Sequence, residues 1–203
     1  MKLFIKTPAP SALRVQIFLD ECGQTVETIE VADTGSAEFA RMNPFRTVPV
    51  LETDSGTLVS ESLTICRYLD SIWSTRLFGS PLEERVEVEM WERRAELQLF
   101  VPAIEYVHQT HPMFSGKTRQ NAEWALEIAE RVRNAAPVFD DQLSRSPFLG
   151  GDDFSVADIT GLMGLGAFAA FGVLDLSTMP ALQHWSEMIG ARPSMQRLRS
   201  LSL

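Results

Sequence analysis

The spacing of apolar residues changes near residue 80, and this change limits the folds open to the chain. Before it, short runs typical of strands alternate with stretches of helical spacing, whereas after Ser80 every apolar pattern is helical. A chain of 203 residues with 45% hydrophobic residues can bury two cores of this kind. We therefore predict an α/β domain over residues 1–77 and an all-helical domain over residues 85–203.

The first domain has the predicted element order βαβαββα, which indicates a small mixed sheet with helices packed against it. The elements are a strand over 3–5, a helix ending at Gly23, a strand over 25–31, a helix over 37–42, strands over 48–52 and 57–60, and a helix over 62–73. A turn-rich tetrad at 53–56 favours an antiparallel hairpin between the last two strands.

In the second domain, the sequence marks two helix interruptions and one helix start. Pro102 is expected to kink one long helix and Pro137 to interrupt another, so that both are bent. Ser155 can cap a further helix, with Asp158 at the capping-box position and Phe154 at the position of a hydrophobic staple. This helix is uncharged after Asp158, so we predict that it is the buried centre of the domain.

The charge and the apolar runs disfavour several classes of partner. A formal charge of −9 disfavours nucleic acid and anionic membranes, which attract basic proteins. The longest uncharged stretch, residues 159–174, is shorter than the ~20 residues that span a bilayer. The first residues do not resemble a secretory signal. We expect a cytoplasmic protein with no nucleic-acid or membrane partner.

The cysteines and histidines show no pattern of a metal or redox centre. Cys22 and Cys66 lie in apolar helical patterns and neither has a second cysteine nearby, so reduced, buried thiols are expected. His108, His111 and His184 form no cluster with them that has the spacing of zinc ligands. We therefore predict no metal site.

A resemblance to a known family rests on four segments: NPFRTVPVL at 43–51, SESLTICRYL at 60–69, FSVADI at 154–159 and RPSM at 192–195. In this order and at these separations they resemble the cytosolic glutathione S-transferases, of bacterial type. The resemblance covers essentially the whole chain. It implies a thioredoxin-like first domain that binds glutathione, a helical second domain, an electrophile pocket between the two, and a homodimer. Glutathione would be a co-substrate, and no permanently bound cofactor is implied.

The resemblance implies two main contacts with glutathione. A cis peptide before Pro49, which costs only ~0.5–1 kcal/mol, would expose the backbone of Val48 for pairing with the cysteinyl backbone of glutathione. An ordinary edge-strand proline is the alternative. Ser62, at the start of a helix whose free N–H groups favour anions, would bind the γ-glutamyl carboxylate, and Glu61 would hold the neighbouring ammonium group. The alternative for Ser62 is a simple N-cap.

The resemblance also implies a catalytic hydroxyl at the start of the first helix. Counting back from Gly23 places Ser11 where some bacterial members carry a catalytic cysteine and others a serine or asparagine. Ser11 is our first candidate, Thr7 is the alternative and Thr25 is a less plausible third, while a capping role for Ser11 is also open. A hydrogen bond that lowers the thiol pKa by about two units gains only about threefold in rate, because nucleophilicity falls with the pKa. Most of the catalysis would then come from orientation.

Three positions depart from the family pattern. Arg46 stands where relatives often have glycine, and Thr47 stands where many have a lysine or glutamine that reaches the glycyl carboxylate. Leu13 stands where a basic residue is frequent. Arg46 could supply the missing charge or could face solvent. For the electrophile pocket, the family topology indicates Pro10, Trp91 and Arg94, with a core position as the alternative for the aromatic residue.

The leading hypothesis is a glutathione transferase whose thiolate attacks a small hydrophobic electrophile. Glutathione-dependent reduction of peroxides or disulfides is the nearest alternative activity. A non-catalytic interaction module of the same fold is the alternative from another class. A membrane-inserting channel is disfavoured by the lack of a sufficient apolar span.

Overall fold

A computed structural model of the chain describes residues 1–200, with side chains described through Arg197. Contacts within the chain define two compact units: residues 1–76 together with the described residues from Arg192 to Ser200, and residues 77–191. The predicted fold class is confirmed, because the first unit holds a mixed sheet with helices and the second is helical. The predicted domain ranges, 1–77 and 85–203, stay a prediction, and the contacts assign the chain after Arg192 to the first unit.

The described part of the first unit has the predicted order of elements. They are β1 Lys2–Ile5, α1 Pro10–Glu21, β2 Glu27–Glu30, α2 Ala37–Met42, β3 Val50–Glu52, β4 Leu58–Ser60, α3 Ser62–Trp73 and a C-terminal 3-10 helix Pro193–Ser200. The strand order in the sheet is β2-β1-β3-β4. Strand β1 is parallel to β2 and antiparallel to β3, and β3 forms the predicted hairpin with β4.

The core of the first unit lies around the two central strands and the helices α1 and α3. Leu3 of β1 and Leu51 of β3 are register partners and are fully buried. Helix α1 packs against α3, and α3 in turn packs against β3 and β4. The fully buried side chains on these two helices are Val15, Ile17, Phe18, Ile65 and Leu69.

Helix α1 ends at a glycine, as the sequence predicts. Gly23 has a φ of +61°, which residues with a side chain adopt only at a cost. Its N–H donates to the carbonyl of Asp20, and the N–H of Gln24 donates to the carbonyl of Leu19, at 3.0 Å each. These two bonds form a Schellman motif, which satisfies carbonyls that the end of a helix leaves unpaired.

The C-terminal segment of the first unit is bound to the end of α1 by ionic contacts. Nε and Nη2 of Arg192 donate to the two carboxylate oxygens of Glu21 at 2.9 and 2.6 Å, and the Ser194 hydroxyl donates to the same carboxylate. Burial opposes ionisation of Glu21, but the hydrogen bonds from Arg192 and Ser194 outweigh it and lower the pKa of the carboxyl. The RPSM segment therefore completes the first unit.

The second unit is helical throughout its regular elements. They are α4 Leu82–Ala95, a π-helical segment Glu96–Phe100, α5 Val101–Thr110, a 3-10 turn Pro112–Phe114, α6 Ala122–Leu143, α7 Val156–Ala170, a 3-10 turn Leu176–Thr178 and α8 Pro180–Gly190. The largest buried side chains of this unit include Trp185, Phe168, Leu99 and Ile128.

The two prolines predicted to interrupt helices behave differently. The π-helical segment lies directly before Pro102, and the Val101 N–H bonds to the carbonyl of Glu96 five residues back. The regular α-helical hydrogen bonding is therefore broken next to Pro102, and the predicted kink there stays a prediction. Pro137, however, lies inside α6, which continues through it, so the second predicted interruption is wrong. Its neighbours Ala136 and Phe139 are buried, and their packing offsets the backbone bond that proline removes.

The predicted capping box at the start of α7 is present. The Ser155 side chain accepts from the helix backbone, and the Asp158 carboxylate accepts from the Ser155 N–H at 2.9 Å. Asp158 is fully buried and also accepts from the Leu149 N–H and the Trp185 indole N–H, at 2.9 Å each. Burial raises the pKa of this carboxyl, while its donors act in the opposite direction. The Phe154 ring packs edge-on against Phe148, and its predicted staple contact stays a prediction.

Helix α7 also has a position where only glycine fits. A Cβ on Gly164 would lie 2.6 Å from the backbone of both Leu99 and Phe100 in the π-helical segment. The backbone of α7 therefore approaches that segment more closely than any side chain allows. Gly166, one half-turn away in the same helix, has open space around its Cβ position.

We predict that Gly164→Ala and Gly166→Ala have opposite effects on the free energy of unfolding. Gly164→Ala must push two backbones apart, an overpacking that costs about 1–3 kcal/mol or more. Gly166→Ala, the matched control, is expected to stabilise the chain by about 0.5–1 kcal/mol through helix propensity alone. Urea denaturation followed by circular dichroism measures both. Equal effects of the two substitutions would contradict the close approach.

Candidate functional site

A cavity of about 300 Å³ in the first unit brings together most of the predicted glutathione residues. Each of them is contributed by the end of a helix or by a loop, rather than by the middle of a strand. Its lining residues are Ser11, Phe45, Thr47, Val48, Pro49, Glu61 and Ser62.

One side of the cavity is a peptide edge at Val48. The peptide bond between Val48 and Pro49 is cis, as the resemblance implies, and β3 begins at Val50. Among residues 1–200, the N–H and C=O of Val48 take part in no backbone hydrogen bond. An unpaired N–H and C=O next to a strand can bind an extended peptide by strand addition.

The loop before this edge is fixed by Asn43, whose role the sequence analysis missed. The Asn43 side chain is buried, and its amide donates to the carbonyl and to the hydroxyl of Thr47 at 2.8 and 3.0 Å. Its side-chain oxygen accepts from the Phe45 N–H at 3.1 Å. The sequence analysis named Asn43 only within the segment NPFRTVPVL and gave its side chain no role. Its side chain instead holds two of the cavity's lining residues in place.

The start of α3 forms the opposite side of the cavity. Glu61 is the N-cap residue and is exposed, with a φ of +66°, which is a strained conformation for a residue with a side chain. Ser62 is the first helical residue and is 3% exposed, so it is not the N-cap. The first N–H groups of the helix point out of its N-terminus and favour a bound anion.

A buried arginine lies behind Ser62, and the sequence analysis did not assign it to the site. Arg14 of α1 is 4% exposed, and its Nε and Nη2 donate to the Ser62 hydroxyl oxygen at 3.1 and 2.7 Å. The sequence does contain a signal for it. Arg14 lies four residues before Phe18 on the apolar stripe of α1, where a charged residue needs a buried partner.

Ser11 and Thr7 have different surroundings. Ser11 lies in the first turn of α1, whose N-cap is Ala9, so the capping interpretation of Ser11 is wrong. Its side chain lines the cavity. Thr7 is exposed and is absent from the lining, and its N–H and hydroxyl donate to the Glu30 carboxylate at 2.7 and 3.2 Å. The geometry therefore brings Ser11, and not Thr7, together with Val48 and Ser62.

Arg46 is exposed and is not among the residues that line the cavity. Its φ of +57° is the left-handed conformation that favours glycine, which agrees with the glycine that relatives often carry there. The Phe45 side chain beside it is 80% exposed although it borders the cavity.

Two of the three residues predicted for the electrophile line a second cavity of about 420 Å³. Trp91 is buried, and the Arg94 guanidinium carbon lies 4.5 Å from the centre of its ring, a cation–π contact. This cavity lies within the helical unit, lined by Trp91, Arg94, Gln98, Arg131, Asn134, Ala135, Val138 and Phe139. Pro10 is the first residue of α1 and lines neither cavity.

The cysteines are unsuited to nucleophilic chemistry. Both are free thiols: Cys66 is buried and Cys22 is half-buried. Burial raises the pKa of Cys22 to about 11, so its thiol is protonated at neutral pH. Within residues 1–200 there is no cluster of His, Cys, Asp or Glu that could hold a metal ion. No helix in this part of the chain has both the length and the apolarity needed to cross a membrane.

A four-stranded mixed sheet with helices and a free peptide edge, followed by a helical unit, defines a two-domain class of protein whose sheet edge can bind an extended peptide. Comparisons with known proteins identify the family within this class. A family model of the glutathione S-transferase N-terminal domain matches residues 9–72, and a model of the glutathione S-transferase C-terminal domain matches residues 99–193. The chain belongs to the glutathione S-transferase family and is a glutathione transferase.

Similar proteins support this assignment along nearly the full length. Glutathione S-transferase 2 of Saccharomyces cerevisiae is 34% identical over 200 residues, which cover 94% of this chain and 85% of the yeast protein. The crystal structure of Gtt2 from the same yeast has a TM-score of 0.88 at 32% identity, covering 98% of this chain and all of that one. A class Gtt2 glutathione S-transferase of Vibrio parahaemolyticus has a TM-score of 0.84 at 34% identity, covering 97% and 96% of the two chains.

We predict that Arg46→Gly stabilises the chain, because glycine adopts the left-handed conformation without steric cost. The expected gain in the free energy of unfolding is about 0.5–1 kcal/mol. The matched control is Arg41→Gly, in the last turn of α2, which should cost about 0.5–1 kcal/mol of helix propensity. Urea denaturation measures both. If Arg46→Gly also weakened glutathione binding, the hypothesis of a charge contact with the glycyl carboxylate would be favoured over a solvent-facing Arg46.

Proposed function

We propose that this chain joins the sulfur of glutathione to an electrophilic carbon of a small hydrophobic compound. The observation that carries the proposal is the composition of the first cavity. A peptide edge at Val48, an anion-binding helix start at Ser62 and a hydroxyl at Ser11 face one space of about 300 Å³. These groups match the backbone, the carboxylate and the thiol of a γ-glutamyl tripeptide.

Glutathione would be held along its whole length. The N–H and C=O of Val48 would pair with the cysteinyl backbone in the manner of an added strand. The Ser62 hydroxyl and the free amides of α3 would bind the γ-glutamyl carboxylate, and the Glu61 carboxylate would pair with the ammonium group beside it. The Thr47 hydroxyl accepts from Asn43, so its own proton is available to the glycyl carboxylate.

The sulfur would lie at the start of α1. Pro10 has no N–H, and the N–H groups of Ala12 and Leu13 bond to the Ala9 carbonyl at 3.1 Å. Within the described chain, the Ser11 N–H has no backbone partner, so it and the Ser11 hydroxyl are the donors left for a thiolate. Because the net gain from ionisation is only about threefold, most of the rate would come from holding the thiolate beside the electrophile.

Other parts of the hypothesis stay predictions. Trp91 and Arg94 remain candidates for the electrophile, because an aromatic floor with a cation beside it suits a flat compound with a polar group. Reduction of peroxides or disulfides would use the same thiolate with a different acceptor. The fold also occurs in interaction modules without turnover, and the complete set of glutathione groups favours the enzyme. The cytoplasmic location stays an expectation.

We predict that the chain binds glutathione and conjugates it to a chromogenic aryl halide, and that Ser11→Ala lowers kcat/KM by about threefold. The reason is that the hydroxyl stabilises the thiolate but does not hold the peptide. The apparent pKa of the bound thiol in the pH–rate profile should rise in the variant, while the Kd for glutathione changes little. The matched control is Thr7→Ala, which removes a hydroxyl bound to Glu30.

Three results separate the alternatives. Binding without turnover across aryl halides, peroxides and disulfides would favour the interaction module. Turnover of peroxides alone would favour the reductase. A larger loss in Thr7→Ala than in Ser11→Ala would move the catalytic hydroxyl to Thr7.

We further propose that the chain is a homodimer. The helices α4 and α5 and the π-helical segment between them expose an apolar stripe in which each side chain is 40–66% exposed: Leu82, Val86, Met90, Leu97 and Val101. A row of exposed apolar side chains along a helix suits a face that packs against a partner, and homodimer interfaces are more apolar than the rest of a surface. A second copy is the occupant that the family implies.

Sedimentation equilibrium is expected to give twice the mass of the chain. The double variant Val86→Glu/Leu97→Glu should sediment as a monomer, because two carboxylates would be buried without partners. Leu126→Glu in α6, equally apolar and exposed but outside the stripe, is the matched control and should stay dimeric. A wild-type chain with the mass of one copy would refute the dimer.

A further inference from the structure

The contact between Arg14 and Ser62 fixes what the Ser62 hydroxyl can bind. A guanidinium has only N–H donors, so the hydroxyl oxygen is the acceptor in both contacts, at 3.1 and 2.7 Å. A hydroxyl has two lone pairs and one proton. With both lone pairs engaged by Arg14, the remaining capacity of the hydroxyl is to donate its proton. The partner of that proton must be an acceptor.

The burial of the two residues strengthens this constraint. Arg14 and Ser62 are 4% and 3% exposed, so little water competes for the contacts. A hydrogen bond from a cation is stronger than a neutral one, and the low dielectric of the interior increases its polarising effect on the O–H group. Ser62 lines the cavity, and Arg14 is not among the lining residues, so the guanidinium acts on a ligand through the hydroxyl.

The start of α3 favours the same kind of partner as the Ser62 hydroxyl. The N-terminus of a helix carries partial positive charge on its unpaired N–H groups. Arg14 keeps the Ser62 hydroxyl beside this N-terminus as a donor. A donor hydroxyl and a helix N-terminus both favour an anion at Ser62, and the exposed Glu61 carboxylate is the neighbouring group that suits an ammonium.

We propose that Arg14 is a positioning residue that makes the Ser62 site selective for the γ-glutamyl carboxylate of glutathione. This inference rests on the proposed function and adds a determinant of specificity to it. Arg14 orients and polarises the Ser62 hydroxyl, and through it sets the affinity for the peptide. It does not act on the sulfur.

The test compares three peptides in calorimetry. Glutathione is compared with 4-aminobutanoyl-cysteinylglycine, which lacks only the γ-glutamyl carboxylate, and with glutaryl-cysteinylglycine, which lacks only the ammonium group. We expect wild type to prefer glutathione over the first analogue by about tenfold or more, as a charge-assisted contact implies. In Arg14→Met and in Ser62→Ala this preference should fall to about threefold or less. The preference over the glutaryl analogue should not change in either variant.

Two further variants separate this role from a general loss of stability. Val15→Ala truncates a fully buried side chain of α1 that does not line the cavity. It should destabilise the chain but keep the preference for glutathione over the analogue without the carboxylate. Arg14→Lys keeps the positive charge but lacks the planar guanidinium. Its preference for glutathione over the analogue without the carboxylate should lie between those of wild type and Arg14→Met. In kinetics, Arg14→Lys should raise KM for glutathione and leave both kcat and the apparent pKa of the bound thiol unchanged.

The outcomes distinguish this inference from the proposed function. If wild type binds none of the three peptides, the proposed function fails and this inference fails with it. If wild type prefers glutathione and Arg14→Met keeps that preference, this inference alone is overturned. Should Arg14→Met not fold, an unchanged preference in Ser62→Ala or Arg14→Lys overturns it equally. A raised pKa of the bound thiol in Arg14→Lys would show that the guanidinium acts on the sulfur, which contradicts the proposal.

Discussion

The packing of α1 against α3 is the interaction on which the site depends. Ser11 and Arg14 are carried by the first turns of α1, and Glu61 and Ser62 lie at the start of α3. These side chains face one cavity or contact one another only because the apolar faces of the two helices meet, with Phe18, Ile65 and Leu69 fully buried. The hydrophobic effect thus fixes the relative positions of polar groups that attract each other too weakly to do so alone.

Most of the fold could be predicted from the sequence because local signals and the global pattern agree. The helices 37–42 and 62–73 have the predicted limits, Gly23 ends α1, and the capping box begins α7. The misses have physical causes. Pro137 does not interrupt α6, since the cost of one lost backbone bond is offset by tertiary packing, which a local rule does not contain. The π-helical segment before Pro102 packs closely against Gly164, a contact between segments distant in sequence that a local rule does not contain.

The site was predicted less completely than the fold. Val48, Pro49, Glu61 and Ser62 lie in motifs that can be read in sequence, and Ser11 could be reached by counting from Gly23. The roles of Arg14 and Asn43 were missed because both depend on tertiary hydrogen bonds. Arg14 donates to Ser62 of another helix, and Asn43 donates to Thr47 of the loop that follows it. A charge on an apolar stripe signals that a buried partner exists, but its identity depends on which helix packs there. Relatives often have a basic residue at the position of Leu13. In this chain the basic residue is Arg14, one position further along α1.

Four residues with side chains in the first unit have a positive φ: Arg46, Glu61, Ser74 and Arg76. Two of these belong to the candidate site, because Arg46 lies between two residues that line its cavity and Glu61 is itself a lining residue. Arg46 and Glu61 both have a positive φ, which costs a residue with a side chain about 1–3 kcal/mol. At Arg46 the side chain is exposed and outside the cavity, so nothing in the structure explains why glycine is absent. At Glu61 the same conformation belongs to the N-cap residue of α3, which is exposed. Under the proposed function, the negative charge of Glu61 and the positive potential of the α3 N-terminus would match the ammonium and the carboxylate of one amino acid. The strain at Glu61 would then serve the recognition of a zwitterion, which neither charge alone would achieve.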